Sequence, residues 1–424
     1  MPQNFVGCAR EQGFLLPPDV RDWLPDGHLA WFVIDAVGEL DLQAFYGAYR
    51  VDGHGRPAYD PAMMVALILY AYARGMRSSR AIERACEDGV AFRVIAANRA
   101  PDHATIARFV ERHQDALAEL FGAVLELCAE AGLVGVGVVA VDGTKVHASA
   151  SRDQTMGYEQ IAREILEEAQ AIDAAEDEIH GQARGDELPA EVATSQGRRG
   201  WLRDARRRLD QRRAQEARPV KRSRQARLRE AQRRLQEDLD VERQANEVKG
   251  MRGHLQGYNA QAVTTTQQIV IAAEVMTASP DFGHLEPMIQ TAERQLRAAG
   301  VTDTLGTVLA DAGYWHLDQM QNIVARGTQV LIPPDSSRRK APRPGWEGGA
   351  YALMRSVLAT EHGGALYQQR QHMVEPVFAD TKFNRRLDRF LRRGRAAAHT
   401  EWRLMTATHN LLKLWRHTTA PQPA

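Results

Sequence analysis

Residues 135–149 read GVGVVAVDGTKVHAS. Small and β-branched residues run without a break into a carboxylate, Asp142; Gly143 follows, and a second short alternating run covers Thr144 to His147. A run of this length and composition is a buried strand, and an Asp–Gly step at its end predicts a turn into a hairpin. Such a strand carries Asp142 to the rim of a sheet, where a carboxylate can hold a cation beside a groove. Taken alone, an Asp in this setting is more often a turn residue than a ligand.

The same device recurs. Thr307–Ala310, TVLA, leads into Asp311-Ala312-Gly313-Tyr314, again an apolar strand ending on Asp with Gly close behind. A third acid, Glu375, lies in RQHMVEPVFADTKFNRRLDRF, residues 370–390, which reads as a basic amphipathic helix. Two strand-end carboxylates and a helical one suit a pair of divalent cations, one activating a nucleophile and one stabilising a leaving oxygen. Oxygen-only ligands favour magnesium, with manganese as substitute, over zinc.

The totals narrow the setting. The chain has 424 residues, so more than one module is expected. Hydrophobic content of 44% and charged content of 25% are those of an ordinary soluble protein. A formal net charge of zero excludes a uniformly basic nucleic-acid coat, although the charge is sharply segregated along the chain. Cys8, Cys86 and Cys128 have neither disulfide nor zinc spacing, which points to a reducing compartment. The longest apolar run, Pro61–Ala73, is too short to span a bilayer, and MPQNFVGCAREQG lacks the order of a secretory signal. A cytoplasmic, nucleoid-associated protein without membrane contact is expected.

Along the chain, Asp60 and Pro61 open a helix that Gly75 ends, Ser78–Ser79 open a second that runs to Gly89, and Val90–Ala97 form a third. Asp102 caps a longer helix with Ile106, Phe109, Val110, Leu117 and Leu120 at helical spacing. The arginines of this region (Arg74, Arg77, Arg80, Arg84, Arg99, Arg108 and Arg112) suit a helix-turn-helix-type module on DNA phosphates; a plain bundle with a solvated arginine face is the alternative. Residues 159–191 are acidic and 198–234 strongly basic, both with helical composition. They read as an inserted helical hairpin, either solvated or gripping DNA. β-rich runs resume at Gly257–Thr265 and Ile269–Thr277. A helix near 284–299, the Asp311 strand, a helix near 317–325, a strand at 328–332, a polar Pro/Gly loop at 335–350 and terminal helices follow. This is an α/β layout around a mixed sheet.

AVDGTKVHASAS, GYNAQ, SPDFGHLEPM, VLADAGYW and MVEPVFADTKFNRR occur in that order, and together they resemble bacterial insertion-sequence DDE transposases over about residues 22–415. The branch they resemble has a helical N-terminal domain and an insertion after the first catalytic strand. The resemblance implies a ribonuclease H-like mixed sheet flanked by helices. It divides the chain into a helical DNA-binding domain at 1–130, a catalytic domain at 131–155 and 250–416, a charged helical insertion at 156–249 and a disordered tail at 417–424. Asp142, Asp311 and Glu375 become the catalytic, metal-binding triad for two Mg2+ ions. Lys382, at E-x6-K spacing from Glu375, becomes a DNA contact, as do Tyr367 and Arg370, which sit one residue further from Glu375 than the best-known spacing. Arg385, Arg386 and Arg389 extend a basic face toward backbone phosphates, against the plain reading of a solvated helix face.

The implied activity is transposition by a homodimer on DNA: recognition of terminal inverted repeats, metal-dependent phosphodiester hydrolysis, and attack of the freed 3′-hydroxyl on target DNA. The alternatives are a metal nuclease of the same fold and a decayed copy that only binds DNA. One departure bears on the last. Residues 243–250 pass from RQANEV directly to Lys249-Gly250 without the polar Asp-Pro-Asp-Ser-Arg-like stretch of the family. His147, His284, Trp315, Asn259 and Gln261 are read as structural.

Overall fold

The valine-rich stretch forms the middle of a five-stranded sheet of order β3-β2-β1-β4-β5. The strands are β1 (Val138–His147), β2 (Gly257–Thr265), β3 (Val270–Met276), β4 (Thr307–Leu309) and β5 (Gln329–Leu331). In the computed structural model the described residues are 19–49, 58–149, 257–278, 280–335 and 346–419, all within one compact unit. The inserted helical hairpin, the shortened junction at 243–250, and Cys8 lie outside the described residues.

β1 pairs antiparallel with β2 and parallel with β4; β2–β3 is antiparallel and β4–β5 parallel. The mixed sheet with flanking helices is the ribonuclease H-like arrangement expected. The expected turn at Gly143 is absent. Pairing with β2 runs unbroken from Val139↔Thr265 to His147↔Gly257, with Gly143 opposite Gln261, so Asp142 lies inside a long strand. β2 continues past that point and satisfies the backbone groups that a turn would have released. What ends near Asp142 is the other neighbour, because pairing with β4 stops at Ala140↔Leu309.

The N-terminal helices are α1 (Leu29–Glu39), α2 (Gln43–Tyr46), α3 (Pro61–Ala73), α4 (Ser79–Asp88), α5 (Val90–Ile95), α6 (His103–Arg112) and α7 (Gln114–Glu130). α3 begins as its sequence dictates: Asp60 accepts from Ala62 N–H and Pro61 fills the first turn. The single long helix expected after Asp102 is two, broken at His113, whose backbone leaves helical geometry at ψ 25°. The His113 ring packs against Phe45 and Phe109, so aromatic packing holds the break.

The later helices are α8 (Leu285–Ala298), α9 (Leu317–Ala325), α10 (Gly349–Ala359), α11 (Glu361–Ala379) and α12 (Arg395–Thr419). α12 is buried along most of its length and ties the sheet to the N-terminal helices. The Asn410 side chain pairs with both backbone groups of Val270, and Trp402 donates its indole N–H to Gln261 O at 2.9 Å. Covering β3 in this way satisfies backbone groups of an edge strand and hides it from other chains. α12 runs to Thr419, so 417–419 are helical, not tail. No described helix is long and apolar enough to cross a membrane.

Arg77, between α3 and α4, makes a buried ion pair with Glu401 on α12. Its guanidinium also donates to the carbonyls of Arg389 (2.8 Å) and Arg386 (2.7 Å), and Glu401 accepts from Leu391 N–H at 3.0 Å. One pair therefore clamps the loop after α11 from both sides. Removing one partner leaves a buried charge uncompensated, which costs about 3–5 kcal/mol. Arg77→Met should lower unfolding free energy by about that amount in denaturant titrations; an unchanged midpoint would show that the pair carries no stability.

Candidate nucleic-acid active site

The β1–β4 register decides where the two aspartates stand. Pairing ends at Ala140↔Leu309; continued by two residues, that register leads to Asp142 and Asp311, and the Asp311 charge acts on the Asp142 carboxyl. Alternation puts both on the face that carries Ala140 and Leu309. That face packs on α11: Ala140, Leu309, Leu331, Met373 and Val374 form a separate apolar cluster. Two carboxylates thus project side by side just beyond the point where the parallel pairing of β1 with β4 stops, a break in the sheet of the kind at which α/β sheets bind ligands.

Each is fixed locally. Asp142 Oδ1 accepts from Gly143 N–H at 2.8 Å, and Asp311 Oδ1 accepts from Gly313 N–H at 2.8 Å, capping the short 3-10 turn Ala312–Tyr314. From α11, Arg370 Nη1 donates to Asp142 Oδ2 at 2.8 Å, both side chains being largely buried. Tyr367, one turn earlier, is in contact with Arg370. Burial pushes the Asp142 carboxyl up to about 6, against the opposing pull of Arg370 and with a further push from Asp311. Lys145 is near the same acids, and burial draws its ammonium down.

Glu375 is placed differently. It is exposed. α11 is continuous from Glu361 to Ala379, so the five-residue step from Arg370 turns Glu375 about 140° around the axis. The longer spacing noted in the sequence thus has a geometric consequence: with Arg370 on Asp142, Glu375 lies off that face. Val374 and Val377, both buried, stand where the helix meets the sheet.

The basic run beyond α11 is not the continuous helix expected. Pro376 lacks an N–H for the helical ladder, and the helix passes at Asp380 into a π-helical turn, Asp380–Asn384. Lys382 Nζ donates to Lys145 O at 2.9 Å and so stays at the β1 edge. Arg386 and Arg389 are exposed, and the loop is fastened to β1 by Phe390 N–H to His147 O at 2.9 Å. Arg385 is corrected: it is 2% exposed, ion-paired with Asp380, and donates to Thr408 and Met405 O. Its side chain is part of the core, because the π turn directs it inward onto α12. In the N-terminal segment Arg80, Arg84, Arg99, Arg108 and Arg112 are exposed, whereas Arg77 is spent on its buried pair.

The sequence reading gave no role to Asp281 or Tyr314 and read Asn259 and Gln261 as structural; the four are joined by hydrogen bonds. Asp281 Oδ1 accepts from Asn259 Nδ2 (2.7 Å) and Gln261 Nε2 (2.8 Å), and the Tyr314 hydroxyl donates to Gln261 Oε1. The Ser-Pro-Asp-Phe-Gly stretch was the available signal, with Gly283 in the left-handed region at φ 87°.

Comparison with protein families gives two matches: a transposase domain (DUF772) over residues 18–112 and a transposase DDE domain over residues 338–415. Both matches are to transposase domains, and they support an insertion-sequence DDE transposase. The first match covers the N-terminal helices through α6; the second holds Glu375 and Lys382 but neither aspartate. Comparison with curated proteins and with solved structures gives no match.

DDE transposases generally use divalent metal ions. Among the described residues no group of three His, Cys, Asp or Glu is close enough together to hold one. Asp142 and Asp311 nonetheless fit a hard cation: they are oxygen donors, aligned and partly shielded, and the Arg370 guanidinium already stands as a positive charge on Asp142. The two described thiols do not compete for such a role, since burial pushes Cys86 up to about 11 and Cys128 up to about 12. Cation binding needs the ionised carboxylate. Mn2+ affinity of the DNA-free protein should therefore fall about tenfold per pH unit below about 6 in calorimetric titrations. Arg370→Gln should move that fall to higher pH, because Arg370 holds the Asp142 carboxyl down. A pH-independent affinity would exclude Asp142 as a ligand.

Proposed function

We propose that this transposase binds the terminal inverted repeats of its element and hydrolyses a phosphodiester at the element end. The freed 3′-hydroxyl then attacks target DNA. The observation that carries this reading is the alignment of Asp142 with Asp311 beside Arg370. Asp142 and Asp311 would hold the Mg2+ ions, with Glu375 as the third ligand, for which α11 must turn about its axis. Bound there, the cations supply an activated water and charge stabilisation for the leaving oxygen.

The chain's own groups account for the rest. Arg370, kept in place by Tyr367, balances the charge of Asp142. Lys382, Arg386 and Arg389 line the edge beside β1 and suit backbone phosphates, which supply sequence-independent affinity. The exposed arginines of α4 and α6 suit end recognition, together with the insertion. A homodimer on DNA accounts for the joining of two ends.

A second reading, a decayed copy that only binds DNA, is favoured by the outward position of Glu375. A labelled duplex carrying the element end decides between them. In Mg2+ the wild-type chain should cut at the end, and Asp142→Ala or Asp311→Ala should lower the single-turnover rate by about 10³-fold or more. Glu375→Gln should do the same if α11 turns. Binding without cleavage in Mg2+ or Mn2+ would support the decayed copy, and cleavage without joining a metal nuclease.

A further inference from the structure

Asp281 lies in the turn between β3 and α8, outside both segments matched by family models. Asn259 and Gln261 are alternate residues of β2, so they share one face, and both side-chain amides donate to the same Asp281 oxygen. Across the ladder Gln261 faces Gly143, the neighbour of Asp142. A Cβ at Gly143 would collide with the Gln261 and Asn259 amides and would come within 2.8 Å of Asp281 Oδ1. A Cβ at Gly313, two residues after Asp311, would lie 2.9 Å from Asp311 Oδ1 and 3.6 Å from Asp281 Cβ. Asp281 is therefore wedged between the two glycines that follow the aligned aspartates.

Donor and acceptor chemistry gives this wedge a direction. An ionised carboxylate only accepts, so Gln261 must turn its NH2 to Asp281 and its carbonyl oxygen the other way. That oxygen receives the hydroxyl of Tyr314, a fully buried side chain at the end of the turn that Asp311 caps. With the amide reversed, Tyr314 would face two N–H donors and lose its acceptor.

We propose that Asp281 is a positioning residue: by fixing the amide of Gln261 it anchors Tyr314 on β2 and so sets the place of Asp311 relative to Asp142. The proposal rests on the reading of Asp142 and Asp311 as the reacting pair. Asp281 itself need not touch metal or DNA, and its charge matters only as an acceptor.

The test uses the full chain and four variants: Asp281→Ala, Asp281→Asn, Tyr314→Phe and the Asp281→Ala/Tyr314→Phe double. Single-turnover cleavage of the element end, DNA affinity, and Mn2+ binding by electron paramagnetic resonance without DNA are read side by side. Asp281→Ala and Tyr314→Phe should each slow cleavage by about tenfold to a hundredfold, as a small misplacement of reacting groups does. DNA affinity should stay within about twofold, since no DNA contact is removed. The double variant should be no slower than the slower single, because both break one chain of contacts. Asp281→Asn, whose oxygen still accepts from both amides, should retain cleavage within about threefold and Mn2+ binding unchanged.

Wild-type cleavage by Asp281→Ala, or multiplying effects in the double, would overturn the proposal. Loss of Mn2+ binding in Asp281→Asn would overturn it in favour of a ligand role. A wild-type chain that binds the end without cutting removes the proposed reaction but not the anchoring. The coupling of Asp281→Ala with Tyr314→Phe in unfolding titrations then decides, and additive effects would refute it.

Discussion

The parallel register between β1 and β4 is the constraint on which the rest of the site depends. Ladder pairing stops at Ala140↔Leu309, and the next residues pointing to the same face are Asp142 and Asp311. A slip of one residue would send one carboxylate to the opposite face and dissolve the pair. The register is protected by burial: Val139, Ala140, Val141, Val308 and Leu309 are completely inaccessible to solvent. An apolar strand interior thus fixes a polar constellation at its end. Burying Asp142 there has a cost, visible in a carboxyl pushed up mainly by burial and further by Asp311, and Arg370 offsets part of it.

Around that pair the fold supplies two kinds of support. On one face α11 delivers Arg370 and Tyr367. On the other, β2 delivers the amides that hold Asp281 and Tyr314. At Gly143 the Gln261 and Asn259 amides and Asp281 occupy the space where a Cβ would stand, and at Gly313 the Asp311 carboxylate does. Beyond α11 the chain leaves helical geometry, and the clamp of Arg77 and Glu401 sets the path of the loop that displays Arg386 and Arg389. The N-terminal helices are thereby bonded directly to the basic edge of the site.

Much of this was legible in the residues. The strands at 257–265 and 307–309, the helix at 317–325 and the Asp60–Pro61 helix start follow from local pattern, since each is short, strongly periodic and clearly punctuated. Both aspartates were visible as carboxylates at the ends of apolar runs. The misses have common physical causes. Asp–Gly at 142–143 looks like a turn, but β2, more than a hundred residues later, pairs straight through it; a single segment carries no sign of its partner. Arg385 has the composition of an exposed basic face, yet the π-helical turn rotates it into the core, and that turn depends on packing against α12. Asp281 was hidden because its importance lies in partners from β2 and the Asp311 turn. The outward direction of Glu375 was present as a spacing, and it became geometry only when α11 proved continuous.

The central claim, that register places Asp142 beside Asp311 while Glu375 lies off that face, is open to a direct measurement by cross-linking. Residues facing each other on adjacent strands have Cα atoms about 5 Å apart, within reach of a disulfide. Cys86 and Cys128 are buried and poorly ionised, so Cys8→Ser leaves a quiet background. Paired Asp142→Cys/Asp311→Cys and Asp142→Cys/Glu375→Cys chains, oxidised mildly without DNA or metal, would be compared by mass spectrometry. Rapid bridging in the first pair and none in the second is the predicted result. Bridging of the second pair in preference to the first would contradict the account.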